Sequence, residues 1–374
     1  MGSATAWQLA QRGYHVLGLE QFNIPHDLGS SHGQTRIIRL AYSEHSSYVP
    51  LLHRAYTLWR EIQDRAGEQL LYITGALDAS PENDWVFQGS KKSCEEHGLS
   101  HEILTGPEVN QCFPGYRLPE NIMAVFQTDG GYLLPERCII AHVEAAQNEG
   151  AEFRGLEPVL NWTSNGRGVV VKTSKMTYTA DHLVITAGAW IGKMVKELEL
   201  VVQPERQVLA WLQPKQIDLF LPDRFPVFNL QVPEGRYYGL PVHGIPGFKI
   251  GRYHHLEEKT DMDDLDRSTH PRDEAVLREF AERYFPDGSG ATMSLQVCAF
   301  TNTEDGHFIL DMHPEYPNVS IASPCSGHGF KFCSVIGEVL ADLATSGDTN
   351  HDINLHRLTR FYRKTGERKS ILAK

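Results

Sequence analysis

The chain has 374 residues, more than one hydrophobic core usually organises, so its length predicts two domains. Its 35 basic and 47 acidic side chains leave a formal net charge of −12 with histidine neutral, which argues against a general nucleic-acid-binding protein because such proteins need excess lysine and arginine. Apolar residues make up 41% of the chain and charged residues 22%, a composition typical of globular proteins and not of disordered ones.

The sequence predicts neither a membrane span nor a secretion signal. Its longest apolar stretches, such as Leu183–Gly192, are about half the roughly 20 residues that a membrane-crossing helix needs. No basic and apolar leader opens the chain. The six cysteines are irregularly spaced and form no Cys-x-x-Cys pair, so we expect neither a disulfide framework nor a zinc or other metal site. These features favour a soluble protein of the cytoplasm.

The first predicted elements are a helix over residues 2–13 and a mostly buried strand over Tyr14–Leu19 that ends at Glu20. A helix, a strand and a terminal acid form the second half of a dinucleotide-binding βαβ unit. The first half, a strand and a glycine-rich turn, does not precede Gly2 in this sequence. We therefore expect a Rossmann-like unit whose first strand is missing, with Gly2 as the last glycine of the fingerprint.

The remaining elements alternate between two kinds of pattern. Helical spacing is found over residues 49–65, 139–149, 272–284 and 329–345, and strand patterns over residues 70–79, 124–132, 168–180, 182–186, 207–212, 237–240, 248–250 and 319–322. The polar, alternating strands indicate a second domain with antiparallel pairing. The predicted fold class is α/β: a Rossmann-like domain of residues 1–66, 139–204 and 298–374, interleaved with an α+β domain of residues 67–138 and 205–297 built on a mixed or antiparallel sheet.

One motif with chemical potential is Cys-Ser-Gly-His-Gly-Phe-Lys-Phe, residues 325–332, which precedes an apolar helix. Gly327 and Gly329 permit turns closed to other residues and expose amides at a helix N-terminus. Such a terminus stabilises negative charge, as on a pyrophosphate, a reduced flavin or a carboxylate. Lys331 adds a positive charge, and His328 titrates near neutrality. The alternative is a glycine turn with a surface lysine.

Two further motifs place cations in apolar surroundings. Arg36 and Arg39 are three residues apart, which predicts that they lie on one side of a helical turn, and each guanidinium there needs an anionic partner. That partner is either a ligand carboxylate or a structural ion pair. Lys249 lies inside an alternating apolar strand, where a lysine is either catalytic or extends to the surface.

Six stretches of the chain, in this order, resemble the monomeric sarcosine oxidase and N-methyl-L-tryptophan oxidase family, which includes the pipecolate oxidases. They are Ser-His-Gly-Gln-Thr-Arg-Ile-Ile-Arg (31–39), Ile-Thr-Ala-Gly-Ala-Trp (185–190), Tyr-Tyr-Gly-Leu-Pro (237–241), Phe-Lys-Ile-Gly (248–251), Phe-Ile-Leu-Asp (308–311) and Ser-Gly-His-Gly-Phe-Lys-Phe (326–332).

The resemblance implies an FAD cofactor, held covalently by a thioether from Cys298 to the 8-methyl carbon of the isoalloxazine, with Cys325 as the alternative attachment site. It implies that Glu20 accepts hydrogen bonds from the adenosine ribose, that Gly2 lets the pyrophosphate approach the first helix, and that Arg36 lies against the flavin. The other cofactor contacts that it implies are Gln21, Ser30, Ser31, Gly188, Trp190, Gly327, Gly329, Phe330 and Lys331.

The resemblance also assigns catalytic roles. Arg39 and Lys331 would hold the substrate carboxylate, which supplies catalysis by fixing the reacting C–H bond. Lys249 would activate dioxygen by stabilising superoxide. His328 and Tyr238 would line the substrate pocket and tune the protonation of the amine, which must be neutral to react.

Two residues depart from the family's pattern at substrate contacts: Phe300 replaces a common tyrosine, and Tyr253 replaces a histidine. We expect a monomeric, FAD-dependent oxidase of secondary amino acids, N-methyl or cyclic, whose partners are the amino acid and O₂ and whose products are an imine and H₂O₂. With an N-methyl substrate, the imine yields formaldehyde and the primary amino acid. The alternatives are a primary-amine or fructosyl-amine oxidase, a flavin dehydrogenase, and a flavin-free ligand-binding protein, the last because of the missing first strand.

Overall fold

A computed structural model describes residues 1–198 and 202–361 of the chain. The helices are α1 Gly2–Ala10, α2 Val49–Ala66, α3 Trp85–His97, α4 Gly106–Cys112, α5 Pro135–Asn148, α6 Ile191–Met194, α7 Pro271–Tyr284 and α8 Cys333–Ser346. The strands are β1 Leu17–Leu19, β2 Arg36–Ile38, β3 Leu71–Ile73, β4 Ala76–Pro81, β5 Glu102–Thr105, β6 Ile122–Gln127, β7 Gly131–Leu133, β8 Glu152–Arg154, β9 Val159–Ser164, β10 Val169–Thr173, β11 Thr177–Ala180, β12 Leu183–Ile185, β13 Val202–Leu212, β14 Val227–Val232, β15 Gly235–Leu240, β16 Phe248–Arg252, β17 Thr292–Thr303, β18 Ile309–Met312 and β19 Val319–Ser323.

Helices α1, α5 and α8 pack on the short parallel strands, and α2 packs on α5 and α8. The apolar residues of α2 recur every three or four positions, so one face of this helix is buried, and the helix ends where Gly67 takes a left-handed conformation with φ of 63°. Helix α1 packs closely on α8, since a Cβ atom at Gly337 would lie only 2.7 Å from the backbone of Ala4. A glycine at this position therefore allows the two helices to approach each other.

Two separate small sheets each contain one pair of short parallel strands. Strand β1 pairs in parallel with β8, and β12 pairs in parallel with β19, which in turn pairs with β18. Within residues 1–198 and 202–361, no strand connects β1 to β12, and Leu17 of β1 is 36% exposed. Purely apolar strands such as β1 and β12 are typical of the interior of a parallel sheet. The expectation of a missing first strand stays a prediction.

The second sheet has eight strands in the order β17-β13-β16-β15-β14-β4-β6-β5. Its pairs are antiparallel except for β14 with β4, so the sheet is mixed, as predicted. Strands β13 and β17 pair from Val202 with Thr303 to Leu212 with Thr292. The expected domain boundaries at 204 and 298 fall inside these two strands, and the division into domains stays a prediction. The α/β class with a mixed sheet is confirmed.

The structure contradicts the predicted helical turn around Arg36 and Arg39. Residues Arg36–Ile38 form β2, which pairs antiparallel with β7. Successive side chains of a strand point to opposite faces, so residues three apart are directed to opposite sides of it. The two arginines therefore enter different environments. The helix predicted over residues 329–345 also divides, into a 3₁₀ turn at Phe330–Phe332 followed by α8.

Among the described residues, no helix is both long enough and apolar enough to cross a membrane. The same residues contain no group of three or more His, Cys, Asp or Glu side chains placed to bind a metal ion.

Candidate active site

A cavity of about 1240 Å³ lies between the two small sheets that contain β1 and β12 and the eight-stranded sheet. Its walls include the start of α1, the residues of β1 and β12, the segment Cys298–Thr301 of β17 and the turn Gly327–Lys331 before α8. Every cofactor contact expected from the sequence lines this cavity: Gly2, Glu20, Gln21, Ser30, Ser31, Arg36, Gly188, Trp190, Cys298, Gly327, Gly329, Phe330 and Lys331. Of the expected catalytic residues, Lys331, His328 and Tyr238 line it, whereas Arg39 and Lys249 lie behind the wall.

Cys298 is the reactive thiol of the cavity. Its Sγ lies 3.7 Å from Nη2 of Arg36, which also donates to the carbonyl of Ser30 at 3.0 Å. Burial alone would raise the pKa of this thiol, but its interaction with His32, which includes a hydrogen bond, together with the charge of Arg36, lowers that pKa to about 6. At neutral pH Cys298 is therefore a thiolate, the nucleophilic form of cysteine. Burial raises the pKa of Cys325 to about 11, so Cys325 is a thiol.

Lys249 of β16 is 1% exposed and lies behind the segment Gly33–Thr35. Its Nζ donates to the carbonyls of Gly33 at 2.7 Å and Thr35 at 2.6 Å, and to Oγ1 of Thr35 at 3.3 Å. Burial and the charge of Arg36 lower the pKa of Lys249 well below its usual value. The lysine is buried with three acceptors, so the sequence alternative of a lysine extending to the surface is wrong.

Arg39 belongs to a ring of five linked polar residues, three of them buried and two largely buried, which we call the Arg39 network: Arg39, Glu44, Arg236, Asn229 and Asp78. Nη2 of Arg39 lies 2.9 Å from Oε2 of Glu44, and Nη2 of Arg236 lies 2.7 Å from its Oε1. Arg236 donates to Asn229 at 2.7 Å, Asn229 donates to Asp78 at 2.8 Å, and Asp78 lies 3.5 Å from Nε of Arg39. The network thus supplies the structural ion pair that the sequence left as one alternative for Arg39.

Glu44 is the carboxylate at the centre of the Arg39 network. Burial would raise its pKa, but Arg39 and Arg236 together lower that pKa well below its usual value. Sequence reasoning found Arg39 but missed Glu44, Asp78, Asn229 and Arg236. The available signal for Asp78 was a carboxylate within strand β4, which is buried at four of its other positions.

Lys331 and His328 face the cavity from the turn before α8. Nζ of Lys331 donates to the carbonyl of His328 at 2.8 Å and lies 5.4 Å from the centre of the Tyr42 ring. Burial lowers the pKa of Lys331 to about 7, with a further contribution from Arg39. Nδ1 of His328 lies 2.6 Å from the hydroxyl of Tyr42, and its Nε2 lies 3.0 Å from the carbonyl of Gly306. Burial lowers the pKa of His328 to about 3, so this imidazole is neutral and both of its nitrogens are already hydrogen-bonded.

An aromatic wall adjoins these groups. The rings of Tyr238 and Tyr253 are 5.3 Å apart, and those of Tyr253 and Phe300 are 5.7 Å apart. The guanidinium of Arg236 lies 4.0 Å from the Tyr253 ring, a cation–π contact that holds this tyrosine against the Arg39 network. Gly327 has φ of 78°, and a Cβ there would lie 2.6 Å from the Phe300 ring. The two positions at which the sequence departs from the family pattern therefore lie side by side.

The cavity residues fit a flavin dinucleotide. Nε2 of His32 and Oγ1 of Thr301 are buried without a hydrogen-bond partner in the described structure, and Thr301 lines the cavity. A bound cofactor with polar groups would supply such partners. At α1, a Cβ on Gly2 would lie 2.9 Å from Oγ1 of Thr186, so a larger residue would narrow the cavity there. The N-terminal amides of α1 favour an anionic group such as a pyrophosphate.

Comparisons with known proteins agree with this geometry. The sequence model of the FAD dependent oxidoreductase (DAO) family matches residues 1–343. The monomeric sarcosine oxidase of Bacillus sp. (strain NS-129) is 40% identical over 365 residues, which cover 96% of this chain and 94% of that protein. The N-methyl-L-tryptophan oxidase of Yersinia pestis (strain Pestoides F) is 32% identical over 365 residues, which cover 96% of each.

Solved structures show the same fold. The L-proline dehydrogenase from P. horikoshii superimposes with a TM-score of 0.84 at 20% identity, covering 98% of this chain and 96% of that chain. The glycine oxidase from Geobacillus kaustophilus superimposes with a TM-score of 0.78 at 21% identity, covering 96% and 95%.

Proposed function

The chain belongs to the family of FAD-dependent oxidoreductases, and on this premise we propose that it oxidises the carbon–nitrogen bond of secondary amino acids, N-methyl or cyclic, with dioxygen as the electron acceptor. The amino acid and O₂ give an imine and H₂O₂, and water converts an N-methyl-derived imine into formaldehyde and the primary amino acid. The observation that carries the proposal is that Lys331, Tyr238 and Cys298 line one cavity in a chain 40% identical to a sarcosine oxidase.

A bound flavin would supply the redox chemistry of the reaction, as the two-electron carrier between the substrate and dioxygen. Gly2 and Glu20 would contact its dinucleotide part, because they lie at the N-terminus of α1 and just after β1, the positions that bind pyrophosphate and ribose in βαβ units. Ser30, Ser31 and Arg36 would contact its ring system near Cys298.

Cys298 is the residue that we propose to attach the flavin. A C–S bond would replace one C–H bond of the 8-methyl carbon: the thiolate and that carbon together would lose one proton and two electrons, which dioxygen would take up with a second proton from solvent as H₂O₂. The lowered pKa of Cys298 supports this role, and the raised pKa of Cys325 argues against the alternative attachment site. Intact mass after denaturation tests it: the flavin mass should remain on the wild type and be lost in Cys298→Ser, but not in Cys325→Ser.

Lys331 would bind the substrate carboxylate, because its ammonium lies at the cavity with one protein acceptor, the carbonyl of His328. Arg39 could join it only after releasing Glu44, which Arg236 would retain through its own 2.7 Å contact. Holding the carboxylate fixes the reacting C–H bond and so lowers the entropic cost of the reaction. The aromatic wall of Tyr238, Tyr253 and Phe300 would enclose the apolar part of the substrate.

The protein would favour the neutral form of the substrate amine through nearby positive charges, and His328 would not act as the base that deprotonates it. Both His328 nitrogens are hydrogen-bonded within the protein, and its lowered pKa disfavours proton uptake. The nearby cations Arg39, Arg236 and Lys331 would lower the pKa of an amine bound beside them. Lys249 would act in the oxygen reaction, where a buried positive charge stabilises the negative charge that dioxygen gains.

The test is a substrate panel on flavin-loaded protein. Sarcosine, N-methyl-L-tryptophan and L-pipecolate should bleach the flavin without oxygen and release peroxide with it, whereas Lys331→Met should weaken all three reactions through KM. Absence of both bleaching and peroxide with all three would overturn the proposal. Bleaching without peroxide would identify a dehydrogenase, and activity confined to glycine or fructosyl amino acids would identify a primary-amine or fructosyl-amine oxidase.

A further inference from the structure

The tight turn Gly33–Thr35 separates a carboxylate from the buried ammonium of Lys249. On one side, the amide N–H groups of Gly33 and Gln34 donate to Oε1 of Glu136 at 2.7 and 3.1 Å. On the other side, the carbonyls of Gly33 and Thr35 accept from Nζ of Lys249 at 2.7 and 2.6 Å. The turn therefore donates hydrogen bonds to Glu136 and accepts hydrogen bonds from Lys249.

One peptide group carries both contacts. The carbonyl of Gly33 and the N–H of Gln34 belong to the same peptide bond, and they bind Lys249 and Glu136 respectively. Hydrogen bonds at both ends of one amide polarise it and strengthen each other. This arrangement requires an unusual backbone, since Gly33 has φ of 96° and Gln34 has φ of 66°. The contact with Glu136 helps to hold the turn in this conformation.

Glu136 and Lys249 also interact electrostatically. The charged or titratable groups that shift the pKa of Lys249 are Arg36 on β2, Glu136 on α5 and Cys298 on β17, and the ring of Trp211 on β13 lies 5.4 Å from its Nζ. Burial and Arg36 disfavour the charged lysine, whereas Glu136 and Cys298 favour it. Glu136 is the carboxylate in this set.

We infer that Glu136 is a positioning residue for Lys249. Its carboxylate accepts hydrogen bonds from the N–H groups of the Gly33–Thr35 turn and so holds the turn in the conformation in which the turn's carbonyls fix the Lys249 ammonium beside the cavity. The inference rests on the proposed function, in which Lys249 serves the reaction with dioxygen. Glu136 itself touches neither the cavity nor Lys249, and it acts through the peptide group between them.

The variant that separates charge from hydrogen bonding is Glu136→Gln, whose amide oxygen can still accept from both N–H groups. The control is Glu144→Gln, the same change at an exposed position of the same helix. In flavin-loaded protein, we expect Glu136→Gln to leave anaerobic reduction by substrate within about twofold of the wild type. The pH above which reoxidation by dioxygen slows should be about one unit lower in Glu136→Gln than in the wild type, because Lys249 without the carboxylate gives up its proton more readily.

A second readout does not depend on flavin or turnover. Thermal melts of the wild type, Glu136→Gln, Lys249→Met and the double variant form a mutant cycle at pH 7. We expect Glu136→Gln to lower the Tm in the wild-type background and to have less than half that effect beside Lys249→Met. Equal Tm losses in both backgrounds together with an unshifted pH profile would overturn the inference.

The two claims fail separately. If Lys249→Met leaves reoxidation unchanged, the oxygen role in the proposed function is wrong, whereas the mutant cycle still reports whether Glu136 positions Lys249.

Discussion

Arg39 and Glu44 form a buried ion pair in which Nη2 of the arginine lies 2.9 and 3.2 Å from the two carboxylate oxygens. A guanidinium that was expected to bind a substrate carboxylate is thus already bound to a carboxylate of the chain. Asp78 and Arg236 complete the charge balance, so the Arg39 network has two guanidinium groups and two acids. Lys331 lies nearby but is not part of this charge-balanced network, which makes it the primary candidate for binding the substrate carboxylate.

Replacing Glu44 by Gln should lower stability and strengthen anion binding at once. Breaking a buried ion pair costs about 3 kcal/mol, and the two arginines would be left with a net positive charge toward the cavity. We expect a lower denaturation midpoint together with a smaller Kd for acetate, measured by perturbation of the flavin spectrum. Glu338→Gln, which breaks a pair with Arg54 away from the cavity, should destabilise without changing that Kd. Weaker acetate binding in Glu44→Gln would mean that Glu44 supports the anion site.

Anion binding should depend on pH through Lys331. The pKa of its ammonium is lowered to about 7, so the charged form that binds a carboxylate prevails below this pH and is lost above it. Acetate affinity should therefore be highest near pH 6 and fall as the pH rises to 8. Lys331→Met should remove this dependence and weaken binding at pH 6 by roughly tenfold, the effect of losing a charge-assisted hydrogen bond. Lys215→Met, at an exposed lysine, should change neither quantity; a pH profile that persists in Lys331→Met would assign the titration to another group.

Cys298 should react with iodoacetamide at unusually low pH in flavin-free protein. Its pKa of about 6 predicts that the alkylation rate is half-maximal near pH 6, whereas Cys325, with a pKa of about 11, should remain unmodified at pH 8. Peptide mapping by mass spectrometry measures each site. Arg36→Met should move the Cys298 profile to higher pH, since it removes a positive charge 3.7 Å from the sulfur. A profile centred above pH 8 in the wild type would remove the support for Cys298 as the attachment site.

A strand placed between β1 and β12 should stabilise the protein. We expect that an extension before Met1 of about five apolar β-branched residues and a glycine turn raises the Tm by about 5 °C or more and increases the flavin bound. The physical reason is that β1 and β12 are apolar and each pairs on one side only within the described residues. A Gly/Ser extension of equal length is the control. Equal effects of the two extensions would show that no strand is accepted there.

Part of the cavity wall could be predicted from local motifs in the sequence, whereas contacts such as Ser30, Trp190 and Cys298 were implied by the family resemblance. Glycines that need special backbone geometry, such as Gly327 with φ of 78°, mark turns that can be recognised without knowing the fold. Helices with strong apolar periodicity, such as α2 and α7, were likewise predictable to within a residue or two.

The Arg39 network could not be predicted from the sequence, because its members come from segments that are distant in sequence. Asn229 stands beside Asp78 because β14 pairs in parallel with β4 in one register, and no periodicity within either strand specifies that pairing. The helical interpretation of Arg36 and Arg39 failed for a related reason. Short apolar runs are compatible with either a helix or a strand, and here the pairing of β2 with β7 decides between them.

Cys298 lies in β17, which is hydrogen-bonded along β13 and so belongs to the eight-stranded sheet. Gly2 lies in α1 and Glu20 just after β1, and both line another part of the same cavity. A cofactor attached to the sulfur and lying against Gly2 would therefore bridge two separately built sheets. Its loss would remove a mechanical cross-link as well as a redox group, and the two parts of the cavity wall would then be free to separate independently during unfolding.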